Sequence, residues 1–193
     1  MKKVSILTTL FLALQFMTCC ASNSLKDSNE EPVKSGKVVI GYIPTWKDMR
    51  STMDNTDLKF LTHINLSFLN PDASGSFLVN GEPVCSDGST ADIHYVVKKA
   101  HENGIKVLVS VAGGIVPECS GDWNLLLQPA NRATIVTNLK ALVDDFNLDG
   151  IDVDIEGALL TSIDVSGNYT PFIKELRSVL NPLGKLVTCA TAS

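Results

Sequence analysis

Residues 148–157 read Leu-Asp-Gly-Ile-Asp-Val-Asp-Ile-Glu-Gly, with acids alternating with aliphatic residues. In an extended strand successive side chains point to opposite faces. Asp152, Asp154 and Glu156 therefore share one face, and Ile151, Val153 and Ile155 share the other. Neighbours along one face stand about 7 Å apart. Like charges crowded at that spacing in a partly desolvated site raise the pKa of at least one carboxyl. A carboxyl still protonated near neutral pH is a general acid. Two other readings fit the same letters. An amphipathic edge strand with a solvated acidic face alternates in the same way. Asp152-x-Asp154-x-Glu156-Gly157 also imitates the opening of an EF-hand calcium loop. That loop needs a bidentate Glu at its twelfth position, which Ile163 occupies here.

The acids lie between two helical patterns, so their segment reads as a parallel strand covered on both faces rather than as an edge. From Lys37 onward, short apolar runs alternate with helical stretches. Residues 38–43, 64–69, 107–111, 150–155 and 186–190 read as strands. Residues 91–103, 131–146 and 169–180 read as helices, the first closed by Gly104 and the last by Pro182. This alternation is the signature of an α/β architecture built on a parallel sheet. The longest connections, residues 70–90 and 113–130, follow the second and third strands, on the same side as the acids. A (β/α) barrel gathers its active-site loops at the C-terminal ends of its strands. An open doubly wound sheet places a ligand on that side too, so the placement fits both. No glycine-rich phosphate loop follows the first strand, where Gly41-Tyr42-Ile43-Pro44-Thr45-Trp46 stands, and this weighs against a nucleotide-binding fold.

The chain has 193 residues, 45% hydrophobic and 19% charged, enough to bury a substantial core. A net charge of -5 argues against nucleic acid, whose phosphates demand a basic surface. Lys2 and Lys3 precede an apolar stretch over residues 4–17 and then Cys19-Cys20-Ala21-Ser22, the layout of an export signal over residues 1–20. The apolar stretch is short for a membrane span. A Cys closing such a segment resembles a bacterial lipoprotein signal, with Cys20 or Cys19 as the lipidated residue. The residue before each departs from the usual small one. The expected destination is the cell surface or outer membrane, or secretion. Residues 21–36 are polar and without apolar period, and read as a flexible linker. After removal of the signal, Cys85, Cys119 and Cys189 remain. Cys85 and Cys119 lie in loops and either bridge or stay free; Cys189 lies in an apolar strand and is expected in the core. His63, His94 and His101 lack metal-ligand spacing, and neither a metal nor a cofactor is implied.

Taken together, these residues resemble glycoside hydrolase family 18, the family of chitinases and endo-β-N-acetylglucosaminidases. Its D-x-x-D-x-D-x-E signature is matched by Asp149, Asp152, Asp154 and Glu156. Its S-x-G-G motif is approximated by Ser110-Val111-Ala112-Gly113-Gly114, with Ala112 in place of the first Gly. Gly41-Tyr42 with Trp46, and Asn65-Leu66-Ser67-Phe68, are similar as well. The resemblance implies an eight-stranded (β/α) barrel from about Lys37 onward, often with a cis peptide that would fall at Ser67-Phe68. It implies that Glu156 protonates the glycosidic oxygen, while the N-acetyl carbonyl of the substrate attacks the anomeric carbon in place of a protein nucleophile. Asp154 would orient the acetamido group, and Asp152 would share a proton with Asp154, supported by Ser110 and Tyr42. Trp46 would stack on a sugar face or pack internally. Asp149 has the opposite parity to the other acids and is expected to be structural.

The chain stops inside its fifth expected strand, at Ala192-Ser193, whereas a complete barrel needs about 250 residues. The sixth-strand Tyr and eighth-strand Trp of the family lie beyond that point. Half a barrel also exposes two edges and apolar faces. The expectation is that the acid is present and that this chain alone hydrolyses little. The implied substrate is a glycan of β-1,4-linked N-acetylglucosamine, with chitin favoured and the chitobiose core of N-glycans as the alternative. A surface carbohydrate-binding protein without turnover is a further alternative, although such relatives usually lose the terminal Glu that Glu156 retains.

Overall fold

The computed structural model describes residues 36–190. The expected signal, its Cys19 and Cys20, and nearly all of the linker lie outside the described residues. Strand β1 (Ile40–Pro44) leads into helix α1 (Met49–Asn55), a 3-10 turn at Leu58–Phe60 and β2 (His63–Ser67). A two-residue-per-strand hairpin, β3 (Leu78–Val79) and β4 (Glu82–Pro83), interrupts the next loop before α2 (Thr90–Glu102) and β5 (Lys106–Ala112). Then come α3 (Trp123–Leu126), α4 (Arg132–Asp145), β6 (Gly150–Asp154), α5 (Gly157–Val165), α6 (Tyr169–Leu180), a 3-10 turn at Asn181–Leu183 and β7 (Leu186–Cys189).

The main sheet is wholly parallel, in the order β1-β2-β5-β6-β7. Each strand lies beside the one before it in sequence, with no reversal of direction across the sheet. A doubly wound fold needs such a reversal to make its ligand crevice; successive winding is the arrangement of a (β/α) barrel. The alternation and loop placement alone left that choice open, and the strand order agrees with the barrel that the resemblance implied.

One face of the sheet is sealed by helices. Ile64, Leu66, Val107, Val109, Val111, Ile151 and Val153 are fully buried there, under Ile93, Val96, Val97 and Ala100 of α2 and Ile135, Leu139 and Val143 of α4. Helix α2 starts where it does because Ser89 caps it: its Oγ accepts from Asp92 N–H at 3.2 Å and donates to the Asp92 carboxylate at 2.6 Å. Three helices escaped the sequence reading, one of them the four-residue α3. Helix α1 buries only Met49 and Met53, and α5 only Ile163, too few apolar positions for a helical period to register.

Cys189 departs from expectation. It is a free and exposed thiol on β7, the last strand of the sheet, which has a strand on one side only among the described residues. Cys85 and Cys119 are bridged, with Cα atoms 5.5 Å apart, and so fasten the loop after β2 to the loop after β5. Gly150 is the tightest point of the sheet. A Cβ there would stand 2.1 Å from the carbonyl oxygen of Leu186, a backbone atom that cannot swing away. Gly150→Ala is expected to cost roughly 3 kcal/mol or more, read as a fall in the urea midpoint; an unchanged midpoint would show that β6 and β7 have slack.

Candidate active site

The inner face of the sheet carries the polar residues. The register aligns Pro44, Ser67, Ser110, Asp152 and Thr188 in one row across the strands. Asp154 lies one step further toward the C-terminal end, opposite Ala112. Glu156 follows immediately and opens α5 as its N-cap. The alternation read from the sequence thus delivers all three acids to one face. Asp152 and Asp154 are 2% and 7% exposed, and Glu156 is open to solvent.

Each carboxylate is held differently. Asp152 Oδ2 accepts from Ser110 Oγ at 2.8 Å and from the Tyr42 hydroxyl at 3.3 Å, and its Oδ1 accepts from Thr188 Oγ1. Burial, then the nearby charges of Asp152 and Asp154, hold the Tyr42 hydroxyl above its ordinary pKa, which keeps it a donor. Asp154 Oδ1 is buried with no hydrogen-bond partner. The pKa of Asp154 is pushed up to about 7 by burial first, then by a hydrogen bond with Glu156 and by the charges of Glu156 and Asp152. Both neighbouring acids thus bear on Asp154, Glu156 more strongly than Asp152. Thr188 was not singled out from sequence; it becomes visible only through the register that sets β7 beside β6.

The remaining expected residues fall on both sides of the site. Asp149 lies away from the acid row, where its Oδ2 accepts from Val107 N–H and pairs with His101 Nε2, each at 2.8 Å. It ties the start of β6 to α2 and β5. Trp46 is 54% exposed and stacks on Phe68 with ring centroids 6.1 Å apart. The peptide between Ser67 and Phe68 is cis, at the place the resemblance implied. The Phe68 ring lies over Gly113, where a Cβ would approach it to 2.9 Å, and a Cβ on Gly114 would stand 3.2 Å from Glu156 Oε2. These two glycines let the aromatic ring and the acid close in. A cleft of about 340 Å³ opens alongside, lined among others by Thr45, Trp46, Phe68, Asp87 and Ile115. Buried Asn65 also faces the Tyr42 hydroxyl, but neither of its amide atoms has hydrogen-bonding geometry to a partner. Among the described residues, no cluster of His, Cys, Asp and Glu is arranged to hold a metal ion.

The arrangement suits proton transfer to a ligand from an exposed carboxyl whose neighbour is poised near neutral pH, with a buried acceptor beside it. The sequence model of glycosyl hydrolases family 18 matches residues 38–192. Among solved structures, a chitinase of that family from Flavobacterium johnsoniae is similar at 32% identity and a TM-score of 0.65, covering 79% of this chain and 45% of its own. A chitinase from Bacteroides thetaiotaomicron is similar at 28% identity and a TM-score of 0.64, covering 81% of this chain and 47% of its own. Chitinase B of Serratia marcescens is 26% identical over 167 residues, which are 75% of this chain and 32% of that protein. The chain thus spans between a third and a half of the length of these relatives.

The raised pKa of Asp154 sets a pH dependence. Its folded value lies above the unfolded value of about 3.9, so its contribution to stability is fully present below about pH 4. That contribution is lost as pH rises through about 7. Asp154→Asn is uncharged at every pH. It is expected to exceed the parent in stability by roughly 1–3 kcal/mol at pH 8, once solvent access is allowed for, with the gain vanishing toward pH 4. Thermal unfolding across pH 4–8 measures this; a gain independent of pH would refute the assigned titration.

Proposed function

The chain belongs to glycosyl hydrolases family 18, and from that premise we propose that it acts on β-1,4-linked N-acetylglucosamine in chitin or its oligomers. The observation that carries the proposal is the orphaned acceptor Asp154 Oδ1, buried between a carboxylate held by three hydroxyls and an exposed acid. An acetamido N–H from the substrate supplies the missing donor. That contact turns the acetamido carbonyl oxygen toward the anomeric carbon.

Glu156 then donates its proton to the glycosidic oxygen as the bond to the anomeric carbon breaks. The acetamido oxygen attacks that carbon and forms an oxazolinium ion, whose positive charge is offset by Asp154 and Asp152. Glu156, now a carboxylate, takes a proton from the water that opens the ring, and configuration is retained. Ser110, Tyr42 and Thr188 donate to Asp152 and fix the orientation of its carboxylate beneath Asp154. Trp46 and Phe68 offer an aromatic wall on which a sugar ring stacks. We further infer export, through a lipid anchor at Cys20 or Cys19 or as a secreted protein. The Cys85–Cys119 bridge supports this reading, because such bridges persist in oxidising compartments.

Glu156→Gln is expected to lower hydrolysis of N-acetylglucosamine oligomers roughly 10²–10⁴-fold and to leave oligomer affinity within about threefold of the parent. Mass-spectrometric product analysis and calorimetry read the two quantities. Loss of binding in the variant would contradict the role given to Glu156. Cleavage of a high-mannose glycoprotein instead of the oligomers would move the substrate to the chitobiose core. Binding without any cleavage by the folded parent would make the chain a carbohydrate-binding module.

A further inference from the structure

The C-terminal end of β5 is held by a side chain where a strand would otherwise be. Backbone pairing between β2 and β5 runs to Ser67 opposite Ser110, followed by Leu69 N–H donating to Ser110 C=O at 3.1 Å. There it stops, and the Asn70 side chain takes over. Its Oδ1 accepts from Ala112 N–H at 2.9 Å and its Nδ2 donates to Ala112 C=O at 3.1 Å. One amide therefore clamps both backbone polar groups of a single residue, as a neighbouring strand does. Ala112 has a φ of 72°, a left-handed conformation that costs a residue with a Cβ about 1 kcal/mol or more. Gly113 follows with a φ of 96° and donates its N–H to the Asp154 carbonyl at 2.9 Å. Gly114 then borders the Glu156 carboxyl.

Asn70 is itself locked. It is 1% exposed, its Oδ1 also accepts from buried Trp123 Nε1 at 3.2 Å, and its backbone N–H donates to the carbonyl of Cys85, one end of the bridge. The order of contacts runs from the bridge and Trp123 to Asn70, from Asn70 to Ala112, and from the Ala112–Gly114 turn to both acids. We propose that Asn70 is a positioning residue for Asp154 and Glu156, imposing the left-handed turn at Ala112 that brings the end of β5 against them. This rests on the reading of those acids as the reacting groups.

The test compares the full parent chain with Asn70→Ala and with the double variant Asn70→Ala/Ala112→Gly. Two nuclear magnetic resonance readouts need no substrate: amide exchange at Ala112 and Gly113, and the pH midpoint of the Gly113 amide shift, which follows the Asp154 carboxyl through the Asp154 carbonyl. In Asn70→Ala, both amides are expected to exchange at least about tenfold faster, while Leu139 and Leu142 in α4 are unchanged. The Gly113 midpoint is expected to fall by about one unit as water reaches Asp154. Glycine holds a positive φ without a clamp, so the double variant is expected to recover at least about half of that fall. An unmoved midpoint in folded Asn70→Ala, or no recovery on adding Ala112→Gly, would overturn the proposal. Should Asn70→Ala not fold, Asn70→Ser, which also lacks the two-atom clamp, takes its place in both comparisons. Where the parent cleaves N-acetylglucosamine oligomers, kcat is expected to fall at least about tenfold in Asn70→Ala, with KM within about threefold. A parent without turnover would count against the hydrolytic reading alone, because exchange and titration decide the role of Asn70 without it.

Discussion

Three carboxyl groups crowd the C-terminal end of one strand, and the local structure follows from how unequally they are buried. Asp152 is taken deepest and is supplied with three hydroxyl donors from three other strands. Asp154 is buried with one oxygen unanswered, and the cost appears as a carboxyl pushed up to about 7. Glu156 escapes to the surface at the head of α5. Distributing burial in this way gives neighbouring acids different work. Asp154 is the acid poised near neutral pH, beside the exposed Glu156 carboxyl.

The scaffold makes this tolerable by spending its aliphatic residues on the other face. Ile151 and Val153 are fully buried on the face that α4 covers. The strand is therefore anchored by hydrophobic burial on one side while its other side bears an electrostatic penalty. Close approach is then set by glycines. Gly150 admits the backbone of β7, Gly113 admits the Phe68 ring, and Gly114 leaves room for the Glu156 carboxyl.

Much of this was legible from residue order. The period of two through Asp152, Asp154 and Glu156 gave the face of the acids, because strand parity is a local property, but not how burial is divided among them. The parallel sheet followed from apolar runs alternating with amphipathic helices. Barrel winding was legible only through the motif resemblance, since the alternation and the loop placement fit either fold. Thr188 and Asn70 were missed for a related reason. A lone Thr or Asn has no period, and its importance lies in which strand end it meets across more than thirty residues of chain. Cys189 misled because an apolar neighbourhood in sequence does not reveal that its strand lies at the end of the sheet.

The central claim is that Asp154, buried beside Glu156, titrates near neutral pH. Following the carboxyl carbon of Asp154 by nuclear magnetic resonance from pH 3 to 9, in the parent and in Glu156→Gln, tests it directly. A midpoint near 7 in the parent is the predicted result, displaced when Glu156 loses its charge. A midpoint in the ordinary carboxylate range near 4, indifferent to the change at residue 156, would contradict the account.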